Sequence, residues 1–177
     1  MIEIAIALGV AAVAIVSIMA LFPIGFSAGR DAMAETYAAE AADEFLHWLE
    51  GEIRHGGWTP GIVPDSFPPE ADRIDFEPTY EQNVTLYESG TNPNYYKAIR
   101  FVDLTGDGIF RPDDDILDFA AIITVRRSQV VIPGDPDSVT LLDDIAVRLE
   151  MEISWPARAD YENREKRQYF YEIFKRD

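Results

Sequence analysis

A run of acidic and polar residues between positions 103 and 114 has the spacing of a calcium-binding loop. Side-chain oxygens stand at its first, third, fifth and twelfth positions, and a glycine stands at the sixth: Asp103, Thr105, Asp107, Asp114 and Gly108. Calcium binds about six to eight oxygen atoms, and the glycine lets the chain turn sharply around the ion. We therefore predict a structural Ca²⁺ site whose ligands are those four side chains and, at the seventh position, the main-chain oxygen of Ile109.

The charge around this loop favours the same prediction. Residues 103–118 contain six acidic side chains and one basic side chain, Arg111. The carboxylates repel one another unless a cation lies between them. The alternative is an acidic turn of the Asp-Gly type whose carboxylates are solvated. Because strand-like rather than helical sequence flanks the loop, a bound ion would fasten the loop and would not act as a sensor.

The N-terminal segment is the second candidate. Residues 4–29 carry no charge, and Glu3 directly precedes them. As a helix, Ile4 to Leu21 would be about 27 Å long, close to the hydrocarbon thickness of a bilayer. An ionised carboxylate costs several kcal/mol in an apolar setting unless it is paired. The segment thus indicates membrane insertion, and Glu3 indicates later packing into a polymer. No Lys or Arg precedes Arg30, unlike in a secretory signal, so we expect the segment to be retained.

Two further patterns concern the helix. Apolar residues at spacings of three and four predict an amphipathic helix over residues 30–55, which ends at Gly56-Gly57. Pro23, Gly25 and Gly29 predict a kink or a locally unwound stretch near residues 20–29.

Strands follow a connection rich in proline and glycine at residues 56–80. We predict strands at 83–88, 95–102, 147–155 and 168–175, and one long or two shorter strands at 117–131. The fold class is therefore α+β, with a long N-terminal helix packed on an antiparallel sheet. Residues 1–29 form the membrane or polymerisation helix and residues 30–177 a globular domain, with the sheet in residues 81–177.

Composition limits the function. Glu3 and Arg30 cancel, so the net charge of −17 belongs to residues 31–177. Such an acidic domain repels nucleic acid, and no direct nucleic-acid binding is expected. The chain has no cysteine, hence no disulfide or thiol nucleophile. No nucleophile motif is present and no catalytic residue is assigned, so we expect a protein that is not an enzyme. His47 and His55 are interpreted as surface or packing residues.

The N-terminal third resembles the type IV pilins and the pseudopilins of type II secretion systems. The resemblance rests on Ile2-Glu3-Ile4-Ala5-Ile6-Ala7-Leu8, on the apolar helix that follows, and on Leu21-Phe22-Pro23. It covers residues 1–55 and implies a pilin-like fold that assembles through Glu3, Pro23 and Gly25. It also implies that the partners are identical or homologous pilin subunits, with the inner membrane before assembly and a prepilin peptidase if a leader exists.

Three functions remain open. The first is a structural subunit of a type IV pilus-like filament, which is inserted in a membrane and then becomes part of an extracytoplasmic filament at the cell surface or in the periplasm. The second is a pseudopilin. The third, from a different class, is a monomeric calcium-binding domain on a single-pass membrane anchor.

Overall fold

A single helix occupies most of the N-terminal third of the chain. The computed structural model describes residues 2–55, 57–69, 82–83, 95–106, 109–110, 116–134 and 137–176, and at residues 5, 20–27, 82–83 and 109–110 it describes the backbone alone. Helix α1 spans Ile2–Arg54. Contacts divide the chain into two units, Met1–Tyr37 and Ala38–Asp177. The boundary lies eight residues after the predicted one, at the point where buried side chains begin.

The helix ends at Arg54, one residue before its predicted end and two residues before the glycine pair. Gly57 has φ of +127°, a left-handed conformation that favours glycine. The chain then turns back, so that the main-chain N–H of Thr59 donates to the carbonyl of Ile53 at 2.9 Å, and the Thr59 hydroxyl donates to the same oxygen at 3.2 Å. Both bonds satisfy a carbonyl that the helix leaves without an internal partner.

The last five turns of α1 form the helical side of the second unit. Their buried residues recur at spacings of three and four and so share one face: Ala38, Ala41, Ala42, Phe45, Leu46, Leu49 and Ile53. The predicted amphipathic pattern is confirmed over this part of the helix.

Four antiparallel strands form the sheet on which this helical face packs. They are β2 (Tyr95–Val102), β4 (Ile116–Ser128), β7 (Ala146–Trp155) and β8 (Glu165–Phe174), in the spatial order β2-β4-β7-β8. The ring centroids of Phe45 in α1 and Tyr96 in β2 lie 4.7 Å apart. The face of the sheet that carries Tyr96 is therefore the one that packs on α1. The core between them includes Ile123, Leu149 and Ile153, all fully buried. The predicted α+β class is confirmed.

Two short antiparallel pairs accompany the sheet. Strand β1 (Gln82–Asn83) pairs with β3 (Ile109–Phe110), and β5 (Val131–Ile132) pairs with β6 (Val139–Thr140). The predicted strand at 83–88 therefore begins one residue earlier, and its residues 84–88 lie outside the described residues. The predicted region 117–131 is one long strand, β4, followed by β5.

The described part of the proline-rich connection lies on the domain. The indole N–H of Trp58 donates to the carbonyl of Asp143, and the main-chain N–H of Arg127 donates to the carbonyl of Pro64 at 2.8 Å. Val63 is buried, whereas Ile62 is half exposed. The guanidinium of Arg127 pairs with both Asp65 and Asp143 and so joins two loops.

Candidate functional site

The first part of α1 is long and apolar enough to cross a membrane. Residues Ile2–Met19 have a mean hydropathy of 2.5, and none of the stretch is buried within the chain. From Ile4 to Met19 the one polar side chain is Ser17, whose hydroxyl donates to the carbonyl of Val13 at 2.8 Å. That bond satisfies the hydroxyl without water, as a helix in an apolar environment requires.

Glu3 lies in the first turn of this helix and is exposed. A carboxylate is favourable there because the unsatisfied N–H groups of the first turn carry partial positive charge. The side chains around it are apolar and exposed, Ile2 and Ile4 among them. Glu3 is consequently the single charged group in a surface of about 18 residues that is otherwise uncharged.

Of the two predicted forms of a break near residues 20–29, the locally unwound stretch is absent from the single subunit, and the kink stays a prediction. The backbone stays helical through residues 20–29, including Pro23 and Gly25. A proline removes one backbone hydrogen bond and does not prevent helical φ and ψ angles on either side. The side chains of residues 20–27 lie outside the description, so their predicted role in assembly remains a prediction.

The start of the acidic loop is built around one carboxylate oxygen. Asp103 Oδ1 accepts hydrogen bonds from the main-chain N–H of Thr105 at 2.9 Å, from that of Gly106 at 2.5 Å, and from the Thr105 hydroxyl at 3.1 Å. Gly106 has φ of +78°. An aspartate side chain that accepts from the N–H groups two and three residues later closes a tight turn. Glycine readily adopts the positive φ that this turn needs.

Of the five predicted calcium ligands, the structure places two side by side. Asp103 and Thr105 are in direct contact, while Asp107 and Asp114 lie outside the described residues. Ile109 is in β3, directly opposite Asn83 of β1. Among the described residues there is no group of three or more acidic, histidine or cysteine side chains placed to hold a metal. The oxygen-only donor set in the sequence fits calcium, and the folded turn at Asp103 fits the solvated alternative as well.

Sequence reasoning missed a cluster that joins α1 to β8. Glu50 accepts a hydrogen bond from the Tyr171 hydroxyl at 2.6 Å and another from Arg54 Nε at 2.9 Å. Arg54 also donates to the carbonyl of Phe174 at 3.0 Å. The hydrogen bond from Tyr171 and the neighbouring Arg54 lower the pKa of Glu50, and the hydrogen bond to Glu50 raises the pKa of Tyr171. The i, i+4 spacing of Glu50 and Arg54 was the available signal, but it says nothing about Tyr171.

Ion pairs also order the opposite face of the sheet. Arg126 pairs with Glu150 across β4 and β7, and Arg148 pairs with Glu172 across β7 and β8 at 2.6 Å. Burial acts to raise the pKa of Glu150, but hydrogen bonds from Ser128 and Arg126 outweigh it and lower the pKa. These basic residues are therefore committed to partners within their own subunit.

Buried polar groups lie on the same face. The Tyr161 hydroxyl donates to Glu152 at 2.8 Å, and this bond fastens residues 156–164 over the sheet. Thr124 is directly opposite Glu152, and its buried hydroxyl oxygen has no hydrogen-bond partner among the described residues. The two His side chains are exposed, as the sequence suggested, and His47 contacts the carbonyl of Asp43 at 2.7 Å.

Comparisons of the chain with models of protein families, with curated proteins and with solved structures found no match.

Proposed function

We propose that this chain is a structural subunit of a type IV pilus-like filament, which assembles through the first part of α1. The observation that carries the proposal is the stretch Ile2–Met19, whose described side chains are all exposed and whose one charged residue is Glu3. Apolar side chains on every side of a helix need lipid or other helices to cover them. A membrane covers them in the single subunit, and a bundle of such helices covers them in the filament.

Glu3 favours the filament over a plain anchor. An anchor requires only apolar length, and a carboxylate at its end contributes nothing to membrane insertion. In a bundle of helices, Glu3 would leave water and would need a positive partner. The α-amino group of a neighbouring subunit is such a partner, and a single buried charge pair fixes the axial register of packed helices.

The second unit supplies the surface of the filament. Its helix and sheet form a core without the apolar stretch, so the helix can exchange lipid for other helices while the globular unit stays folded. The acidic loop is proposed to bind Ca²⁺ through Asp103, Thr105, Asp107, Asp114 and the carbonyl of Ile109. A bound ion would neutralise the clustered carboxylates between β2 and β4.

The test uses the full chain, purified in detergent and then freed of it. Wild-type protein is expected to form filaments visible by electron microscopy and recoverable by sedimentation. Glu3→Ala should give a much lower yield of filaments with an unchanged circular dichroism spectrum, because it removes the pairing group and leaves the second unit intact.

Ser17→Ala is the matched control, since the Ser17 hydroxyl is already bonded within its own helix. It should assemble as the wild type does. Filaments of Glu3→Ala at wild-type yield would show that the pairing is wrong. Wild-type protein that enters lipid vesicles as monomers, and forms no filament, would favour the calcium-binding domain on a single-pass anchor.

A further inference from the structure

Charge is distributed unevenly along the globular unit. Residues 31–53 of α1 contain seven acidic residues and no Lys or Arg. Residues 156–177 contain six basic and five acidic residues, whereas residues 31–155 contain eight basic and twenty-six acidic ones. Two copies of the chain therefore repel each other through most of their surface. The segment that contains β8 is the part of the sequence that an acidic surface repels least.

One line of exposed residues on α1 combines this acidity with an aromatic ring. Glu44, Trp48 and Glu52 follow one another at spacings of four and are all exposed, and we name them the acidic helix face. Within the described residues neither glutamate has an ion-pair partner. The centroid of the Trp48 ring lies 5.6 Å from that of Phe45 and 5.9 Å from that of Tyr96, and these contacts hold the ring in place. Trp48 is nevertheless 38% exposed.

Exposed aromatic residues and a basic residue lie on the edge strand β8 and directly after it. Phe170 and Phe174 are 61% and 48% exposed, and the exposed Lys175 follows them. Phe170 and Phe174 share one face of the strand, and Lys175 lies one residue past its end; we name these three residues the β8 surface. Lys175 has no ion-pair partner among the described residues. The strand is ten residues long, contains no proline and lies at the edge of its sheet, which is the kind of edge that other chains bind.

We propose that the β8 surface of one subunit docks on the acidic helix face of a neighbouring subunit. Lys175 would meet Glu44 or Glu52, and the two phenylalanines would cover Trp48. The two surfaces are different, so each copy can use both at once, and the contact can repeat from copy to copy along an open filament. A contact of that kind suits a filament, and the inference rests on the proposed function.

Cross-linking tests the contact directly, because the chain has no cysteine. Full-length Glu44→Cys and Lys175→Cys variants are mixed, allowed to form filaments and treated with a short bifunctional maleimide. We expect cross-linked dimers in the mixture and few in filaments of either variant alone. Gln129→Cys, an exposed position on neither surface, is mixed with Lys175→Cys as the control and should give few dimers.

Charge reversal gives an independent measurement. Lys175→Glu and Glu44→Lys should each raise the critical concentration for assembly about fivefold, and the double variant should return it to within about twofold of wild type. Gln129→Glu should have little effect. Wild-type filaments without cross-links in the mixture, or without rescue in the double variant, would overturn this contact and leave the proposed function standing. Failure of the wild type to form filaments would overturn both.

Discussion

The hydroxyl of Tyr171 in β8 donates a hydrogen bond of 2.6 Å to Glu50 in α1, although 121 residues separate the two in sequence. The same carboxylate accepts from Arg54, whose guanidinium also reaches the carbonyl of Phe174. One partly buried carboxylate thus connects the end of the helix with the edge strand. Because that strand also carries the proposed docking surface, its attachment to α1 matters for stability and for assembly.

Tyr171→Phe should lower the free energy of unfolding of the globular unit by about 1 kcal/mol, because it removes a hydrogen bond to a charged acceptor that is partly exposed. Urea unfolding of a fragment that begins at Arg30 measures the change. Tyr96→Phe is the matched control: burial raises the pKa of Tyr96, and no hydrogen bond of its hydroxyl is found among the described residues. Equal losses in the two variants would contradict the assigned bond.

The hydrogen bond between Tyr171 and Glu50 predicts that the free energy of unfolding depends on pH. The hydrogen bond from Tyr171 lowers the pKa of Glu50 below its ordinary value of 4.5, so the stability from Glu50 is present above pH 4.5 and is lost as the pH falls through the lower pKa of the folded state. The hydrogen bond to Glu50 raises the pKa of Tyr171 above 10.0, so its contribution is present below pH 10 and is lost as the pH rises through the raised value.

The difference in unfolding free energy between wild type and Tyr171→Phe should therefore be largest near pH 7 and should shrink toward pH 3. Urea unfolding of both proteins at these two pH values measures it. A difference that stays constant down to pH 3 would mean that the ionised form of Glu50 contributes nothing to the bond.

The bounds of two strands of the sheet follow closely from the sequence. Tyr95–Val102 was predicted with the bounds that the structure has, and β7 begins one residue before the predicted strand. Strand β8 begins at Glu165, three residues before the predicted start, because charged residues 165–167 pair with Ile153 to Trp155 of β7. Pairing with a neighbouring strand overrides the weak strand preference of charged residues.

The candidate sites were predictable only where one short segment contains the whole signal. Glu3 stands out because its surroundings in sequence are also its surroundings on the helix. Tyr171 and Glu50 meet through the register of β8 against β7 and the placement of α1 on the sheet, and neither can be read from local spacing. The unwound stretch expected near Pro23 is absent from the single subunit, where the backbone stays helical on both sides, and a kink there stays a prediction.

Assembly should bend or unwind α1 between Leu21 and Gly29. Each helix in a filament must fit several neighbours, and a proline in a helix interior costs about 3 kcal/mol relative to alanine, which makes this the weakest stretch. Cryo-electron microscopy of wild-type filaments would reveal the segment. Pro23→Ala should keep it helical and yield stiffer filaments, whereas Gly9→Ala, another substitution in the same helix, should leave the segment bent. A straight helix through residues 20–29 of wild-type filaments would contradict this prediction.

Calcium should stabilise the fragment that begins at Arg30. An ion that binds only the folded state contributes about 2.7 kcal/mol at a hundredfold excess over its Kd, which corresponds to a rise in Tm of roughly 8 °C for a domain of this size. Melting curves in millimolar calcium and in chelator measure the shift, and calorimetry measures the heat of binding. Asp107→Ala should abolish both, while Asp144→Ala, at an exposed acid outside the loop, should change neither.

Two substitutions at Asp103 separate ion binding from turn formation. Asn in place of Asp103 keeps an oxygen that can accept from the N–H groups of Thr105 and Gly106, but it removes the charge that attracts calcium. Asp103→Asn should therefore melt in chelator as the wild type does and respond less to calcium, whereas Asp103→Ala should melt lower even in chelator. If calcium leaves the Tm of the wild type unchanged and produces no heat, the carboxylate of Asp103 forms the turn alone, and the acidic loop is a solvated connection between β2 and β4.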